Sequence, residues 1–198
     1  MRINRAAGAA GFTLIELLVT ISILAILLSI AVPSFIAFQK NSELTSAANS
    51  LVSALNAARS EAMKRNLSAM VVPLDAGRTD WSKGWIVFVD TNQDGLYTAG
   101  TDQVVFTRDA LPSYIVVTGT NSAALSPSYI MYNGSGFLRT TAGASPSNTT
   151  LSIARNDVSG SAAYAQIRRL KVALTGRIRV CTPTSGTDVG CSATAGSL

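Results

Sequence analysis

The 198-residue sequence predicts an α+β fold in which a long N-terminal α-helix packs on an antiparallel β-sheet head. Two observations predict this fold. An apolar run begins at Phe12 and lasts to Val32, and apolar residues then recur at helical spacing to about Asn66. From residue 67 onwards the pattern changes to short β-like runs separated by clusters of Gly, Asn, Asp, Pro and Ser. Since no internal repeat or second domain is visible, we expect a single head, residues 67–198.

The predicted helix, from Phe12 to about Asn66, would be about 80 Å long at about 1.5 Å per residue. Its first part, residues 12–33, is long and apolar enough to cross the hydrocarbon core of a membrane. Its second part, residues 34–66, is amphipathic and should lay one face on the head. Pro33 lies at the junction, where the missing backbone hydrogen bond should kink or locally open the helix.

One carboxylate, Glu16, lies inside the apolar run. An acid in a membrane-spanning helix costs up to about 3 kcal/mol unless something compensates, so it marks a functional site by default. A cut after Gly11 would create an α-amino group at Phe12, four residues before Glu16 and on the same helix face. The two charges could then neutralise each other within one chain or between packed chains.

The stretch GFTLIELLV, residues 11–19, resembles the signal of type IV pilins and pseudopilins. The resemblance implies a leader peptide of residues 1–11, which a prepilin peptidase removes by cleaving after Gly11, and N-methylation of Phe12. It also implies that Glu16 pairs with the N-terminal amine of a neighbouring subunit during filament assembly. Other pilin or pseudopilin subunits are therefore expected partners.

A secretory signal peptide and a plain membrane anchor are the alternatives for this segment. The sequence AVPS, residues 31–34, is a poor secretory cleavage site, and the apolar core is too long for a signal peptide. Arg2 and Arg5 precede the apolar run and the next basic residue is Lys40, which predicts a cytoplasmic N-terminus. We expect a single-pass protein of the bacterial inner membrane with a periplasmic head, exposed at the cell surface when the chain is part of a pilus.

Eight strands are predicted in the head from β-branched and aromatic residues between turn signals. They are Ala69–Leu74, Gly84–Val89, Gln103–Thr107, Tyr114–Thr118, Tyr129–Tyr132, Leu151–Ala154, Gln166–Ala173 and Arg177–Cys181. We expect them to form an antiparallel sheet.

The sequence contains no histidine, which excludes Ser-His-Asp and Cys-His catalysis and any histidine-ligated metal. Cys181 and Cys191 would lie in an oxidising compartment, where we expect a disulfide rather than two free thiols. Two cysteines with Asp188 make an inadequate zinc site. We expect no enzymatic activity, cofactor or bound metal.

Residues 90–95, DTNQDG, fit the first half of an EF-hand calcium loop, but Thr101 stands where a bidentate Glu is required. A turn with Asx hydrogen bonds between two strands explains the same residues and is the favoured interpretation. The longer stretch WSKGWIVFVDTNQDG, residues 81–95, resembles the aromatic strand and acidic turn of the FimT/GspH branch of pilin-like proteins, where it is mainly structural.

A basic cluster near the C-terminus is the second candidate site. It consists of Arg168, Arg169, Lys171, Arg177 and Arg179, with apolar residues at alternate positions. A hairpin turning through residues 174–176, with Gly176 in the left-handed conformation, would place Lys171 opposite Arg179. The apolar residues would then face the core and the basic ones would gather outside. Because like charges opposite one another destabilise a sheet, this arrangement favours an anionic partner.

DNA is the natural anionic partner, since guanidinium groups on an exposed hairpin bind phosphate oxygens without reading base sequence. The segment GRIR, from Gly176 to Arg179, resembles the GRxR motif of FimT-type minor pilins, which bind DNA during uptake for natural transformation. The resemblance implies double-stranded DNA as a partner and Arg177 and Arg179 as its ligands. Two alternatives stay open: a solvated strand face, or a contact to another subunit. The latter fits a GspH-like pseudopilin of type II secretion or a minor pilin that only assists assembly.

Overall fold

The structure is a computed structural model that describes residues 11–141 and 145–194. The predicted leader, apart from Gly11, lies outside the described residues, as do Arg2 and Arg5. The described residues form one long helix, α1, nine strands and three short 3₁₀ segments. All eight predicted strands are present; a ninth, of two residues, was not predicted.

Helix α1 extends over Leu14–Arg65, close to the predicted limits of Phe12 and Asn66, and it runs unbroken through Pro33. The predicted local opening at Pro33 is therefore absent, although Pro33 still lacks a backbone donor. The chain divides into two compact units between Asn41 and Ser42. In the first unit, the apolar part of α1 has the length and composition of a membrane-spanning helix.

In the second unit, one face of α1 is buried against the sheets. Its buried residues recur every three or four positions, as the amphipathic pattern predicts. They are Leu44, Ala47, Ala48, Leu51, Ala54, Leu55, Ala58 and Ala62. Five of the eight are alanines, so the helix backbone lies close to the strands, and the two elements share one core.

The strands form two antiparallel sheets. The strands are β1 Ser68–Pro73, β2 Trp85–Asp90, β3 Gln103–Arg108, β4 Ile115–Gly119, β5 Ile130–Tyr132, β6 Leu138–Arg139, β7 Thr149–Arg155, β8 Ile167–Val172 and β9 Ile178–Cys181. The five-stranded sheet has the order β3-β2-β1-β5-β6, and the four-stranded sheet has the order β4-β7-β8-β9. Strand β9, which carries Arg179 and begins directly after Arg177, is therefore an edge strand.

The main core includes side chains from α1 and from both sheets, among them Leu51, Tyr132, Leu151 and Leu170. A second cluster lies on the other face of the five-stranded sheet, where Met70 and its neighbours pack together. Strands β1 and β2 are consequently buried on both faces, which explains why they read as nearly continuous apolar runs.

Candidate nucleic-acid interface

Strands β8 and β9 form the predicted hairpin in the predicted register. Lys171 lies opposite Arg179, and Val172 lies opposite Ile178. The N–H of Ala173 donates to the carbonyl of Arg177 at 2.9 Å, and the N–H of Gly176 donates to the carbonyl of Ala173 at 2.8 Å. These two bonds close the predicted turn at residues 174–176.

Gly176 is required by its backbone conformation and by its surroundings. Its φ is +78°, in the left-handed region that favours glycine. A Cβ at this position would lie 2.1 Å from the carbonyl oxygen of Gly136 and 2.7 Å from Nε of Arg59. The hairpin turn therefore packs directly on two other elements, and a side chain at residue 176 would push it away from them.

Arg177 and Arg179 are exposed. Arg179 lies on β9 and Arg177 directly precedes this strand, so the two residues are close neighbours at the edge of the four-stranded sheet. Neither guanidinium forms an ion pair or a hydrogen bond with the part of the chain that the structure describes. By contrast, the guanidinium of Arg155 forms two hydrogen bonds of 2.9 Å with the carboxylate of Asp157.

The expectation that the whole basic cluster gathers outside was wrong for two residues. Lys171 is 1% exposed and Arg169 is 8% exposed. The C-terminal segment crosses the face of β8 on which they lie: Lys171 Nζ donates to the carbonyl of Thr194 at 3.4 Å, and the guanidinium of Arg169 donates to the carbonyl of Cys191. The exposed part of the predicted DNA site is therefore supplied by the segment at Arg177 and Arg179.

Burial also changes the acid-base properties of the covered cations. It lowers the pKa of Lys171, and the nearby guanidinium groups of Arg179 and Arg169 add to the effect. Burial likewise lowers the pKa of Arg169 and of the half-buried Arg168. The guanidinium of Arg168 donates to the carbonyls of Ala165 at 2.8 Å and Ile167 at 3.0 Å. Since these donors are engaged with the backbone, Arg168 offers less to a phosphate than Arg177 or Arg179 does.

The C-terminal segment is held in place by the predicted disulfide. Cys181, at the end of β9, is bonded to Cys191, with their Cα atoms 5.9 Å apart. Inside the loop, Asp188 accepts hydrogen bonds of 3.0 Å from the backbone N–H groups of Thr184 and Cys191. The disulfide thus ties the segment that covers Lys171 to the strand that carries Arg179.

One residue of this site was not predicted from the sequence. Arg59, on α1, donates from Nε to the carbonyl of Gly136 and from Nη2 to the carbonyl of Thr175, both at 3.0 Å. Helical periodicity assigns Arg59 to the polar side of α1, which suggests a solvated cation. Its partner in the hairpin turn is 116 positions away, so no local pattern could have indicated the contact.

The N-terminal site contains Gly11, Phe12 and Glu16. Phe12 is 93% exposed. Glu16 Oε2 accepts hydrogen bonds from the backbone N–H and the hydroxyl of Thr13, at 2.9 and 2.8 Å. The Thr13 hydroxyl oxygen accepts in turn from the N–H of Glu16 at 3.3 Å, which makes a capping box at the start of α1. Pairing of Glu16 with the amine of a neighbouring subunit stays a prediction.

The segment 90–95 adopts a turn in which the backbone uses the carboxylates. The buried Asp90 accepts from the N–H groups of Asp94 at 3.2 Å and Gly95 at 2.9 Å, and burial raises its pKa. Asp102 accepts from the N–H of Thr98 at 2.7 Å. No group of three or more acidic or cysteine ligands able to hold a metal occurs in residues 11–141 and 145–194. The segment thus forms the predicted turn with Asx hydrogen bonds.

Two family profiles match the chain. The profile described as type II transport protein GspH matches residues 47–176, which is more than half of the chain. The profile described as the prokaryotic N-terminal methylation motif matches residues 7–32, which include Gly11, Phe12 and Glu16. A search of curated proteins gives no match.

Two solved structures of pilin-like proteins are similar to this chain. The type IV minor pilin FimU of Pseudomonas aeruginosa superposes with a TM-score of 0.53 and 23% identity, covering 75% of this chain and 98% of that one. The minor pseudopilin EpsH from the type 2 secretion system of Vibrio cholerae gives a TM-score of 0.49 and 15% identity, covering 72% and 99%. The likeness to FimU confirms the predicted fold, a long N-terminal helix packed on antiparallel sheets.

Proposed function

The chain belongs to the GspH family of type II transport proteins and is a minor pilin-like subunit; from that premise, we propose that it binds double-stranded DNA through Arg177 and Arg179. In this proposal it is a minor type IV pilin of the FimT type. It assembles into a pilus with other pilin subunits and serves DNA uptake in natural transformation.

The exposed arginine pair at the hairpin carries this proposal. Both side chains are exposed beside a turn in which Gly176 packs against other elements, and neither guanidinium is bonded to the described residues. A guanidinium can donate two parallel hydrogen bonds to a phosphate, which makes arginine well suited to a repeating anionic backbone. Two such groups contact the backbone without reading base edges, so binding should not depend on base sequence.

The charge of the whole chain favours the same partner. The formal net charge is +5, and removal of residues 1–11 would take away Arg2 and Arg5 and still leave it positive. A positive field raises the association rate with a polyanion and strengthens non-specific binding. Buried Lys171 and Arg169 contribute to this field even though the C-terminal segment separates them from a bound strand.

Duplex binding by the full-length chain in nonionic detergent tests the proposal. Two labelled duplexes of unrelated sequence should bind with similar affinity, and the variant R177A/R179A should lose most of it. The matched control is K83A/R108A, which removes two exposed positive charges, one just before β2 and one at the end of β3 in the other sheet, and should bind nearly as well as the wild type. Equal losses in both variants would show that overall charge, and not the hairpin, governs binding.

A second candidate function is assembly alone, either as a minor pseudopilin of type II secretion or as a minor pilin without DNA binding. The match to a family described as type II transport protein favours it. In that case Arg177 and Arg179 would contact a neighbouring subunit. Failure of the wild-type chain to bind DNA, together with loss of assembly in R177A/R179A, would establish this function instead.

The N-terminal segment fits the same proposal. We propose that a prepilin peptidase cleaves after Gly11, that Phe12 is then N-methylated, and that residues 12–33 anchor the chain in the inner membrane with the head in the periplasm. The methylation-motif match over residues 7–32 supports this processing. Mass spectrometry of the mature N-terminus tests it directly: the expected species begins with methylated Phe12.

A further inference from the structure

We propose that Arg59 is the positioning residue of the basic hairpin, holding the β8–β9 turn so that Arg177 and Arg179 meet a phosphate backbone in one fixed orientation. The consequence for DNA binding rests on the proposed function, whereas the mechanical role does not. Arg59 itself lies on α1, half-buried, and belongs to neither strand of the hairpin.

The geometry joins three elements through one side chain. Arg59 Nε donates to the carbonyl of Gly136, in the turn between β5 and β6, and Nη2 donates to the carbonyl of Thr175, in the hairpin turn. Both distances are 3.0 Å. Because the guanidinium is planar, one group fixes the separation and the relative tilt of two turns that belong to different sheets.

Neighbouring contacts make the hairpin turn rigid at other points. The N–H of Leu138 donates to the carbonyl of Leu174 at 2.9 Å, and the N–H of Leu174 donates to Oδ1 of Asn148 at 2.9 Å. Gly176 packs against the same Gly136 carbonyl that Arg59 holds. The turn is therefore anchored at residues 174, 175 and 176, and Arg59 supplies the anchor in the middle.

The chemistry of this contact requires arginine. Two carbonyl acceptors on different elements need two N–H donors with a fixed angle between them, which a guanidinium provides and an ammonium on a flexible stem does not. Lysine would preserve the charge and could reach one carbonyl, and the other would lose its partner. Arg59→Lys therefore separates the positioning role from the charge.

Loss of the Arg59 hydrogen bonds should weaken DNA binding because the hairpin turn becomes less ordered. A hairpin that samples several orientations must be ordered when it binds, and that cost reduces affinity without removing a phosphate contact. We expect Arg59→Lys to lower duplex affinity about 2- to 10-fold, with the number of contacts unchanged. The slope of log affinity against log salt should accordingly stay at the wild-type value.

The test uses the full-length chain in detergent, with Arg65→Lys as the matched control for Arg59→Lys. Arg65 lies on the same helix and pairs with Glu61 at 2.7 Å, away from the hairpin turn. Hydrogen exchange should become faster at the Gly176 amide in Arg59→Lys and stay unchanged in Arg65→Lys. If Arg59 instead contacted phosphate directly, Arg59→Lys would keep the affinity, and Arg59→Gln would lower the salt slope by about 0.9; that result would overturn the proposal.

A double-mutant cycle separates the two roles further. In the R177A/R179A background, Arg59→Gln should cause no additional loss of affinity, because the orientation of the hairpin cannot affect binding once both arginine side chains are removed. Additive losses would contradict the proposal. If the wild type binds no DNA, the proposed function fails. The exchange measurement still tests the positioning role of Arg59, and unchanged exchange at the Gly176 amide in Arg59→Lys would overturn it.

Discussion

Lys171 and Arg179 lie directly opposite one another on β8 and β9, yet Lys171 is 1% exposed and Arg179 is exposed. Two like charges at facing positions would destabilise a bare hairpin. Here the C-terminal segment covers one of them and supplies the Thr194 carbonyl to its ammonium group. The pair thus divides one basic cluster into a covered part and a part available to a ligand.

The covered Lys171 should make stability depend on pH. Burial lowers its pKa below the usual 10.5, so the folded chain binds this proton less tightly than the unfolded chain. Stability should then rise as the pH increases from the lowered pKa towards 10.5. Urea unfolding at several values between about pH 7 and 10 should show wild-type stability increasing relative to Lys171→Met. A difference that does not change with pH would contradict this assignment.

Removal of the disulfide should both destabilise the head and uncover Lys171. Cys191→Ala opens a loop of 10-residue separation, for which the chain-entropy estimate is about 3 kcal/mol in the free energy of unfolding. Amine acylation followed by mass spectrometry should show faster modification of Lys171 than in the wild type. Cys181→Ala should behave alike, and unchanged labelling in both variants would mean that the disulfide does not hold the cover.

Gly176→Ala should be more harmful than an alanine at another glycine with positive φ. Gly100 has a φ of +85°, and no atom lies within 4 Å of the position that a Cβ would occupy. Gly100→Ala should therefore cost only the backbone strain of the left-handed conformation, about 1–2 kcal/mol. At Gly176 a Cβ also meets the Gly136 carbonyl at 2.1 Å. Thermal unfolding should therefore show a clearly lower Tm for Gly176→Ala. Equal Tm values would mean that the turn can move away without cost.

Glu16 should matter for assembly and not for insertion. Its carboxylate is held by Thr13 in the capping box, so the single chain already satisfies one of its oxygens. We expect Glu16→Ala to fractionate with membranes as the wild type does and to be depleted from sheared filaments. Normal incorporation into filaments would argue against pairing with a neighbouring amine.

Local patterns predicted most of the fold correctly. The eight strands were predicted because runs of β-branched and aromatic residues lie between clear turn signals, and the hairpin register followed from the position of Gly176. The two-residue strand β6, Leu138–Arg139, was missed because so short a run has no periodicity. Its pairing with β5 depends on the turn at Gly136, which the sequence pattern alone does not define.

The site was predicted less completely because its missing parts depend on distant contacts. Alternation predicted that Lys171 and Arg169 point away from the core, which is true of the strand, but a separate segment covers that face. The one available signal was Cys191, since a disulfide to Cys181 forces the chain to return to β9. For Arg59, the partners at residues 136 and 175 could be known only from the folded chain.

The salt dependence of duplex binding tests the central claim most directly. Log affinity against log salt should fall with a slope steeper by about 1.8 for the wild type than for R177Q/R179Q, which corresponds to about 0.9 for each of two lost phosphate contacts. Both proteins are measured full-length in the same detergent and on the same duplex. A wild-type slope equal to that of R177Q/R179Q, or no binding by the wild type at low salt, would contradict a DNA interface at Arg177 and Arg179.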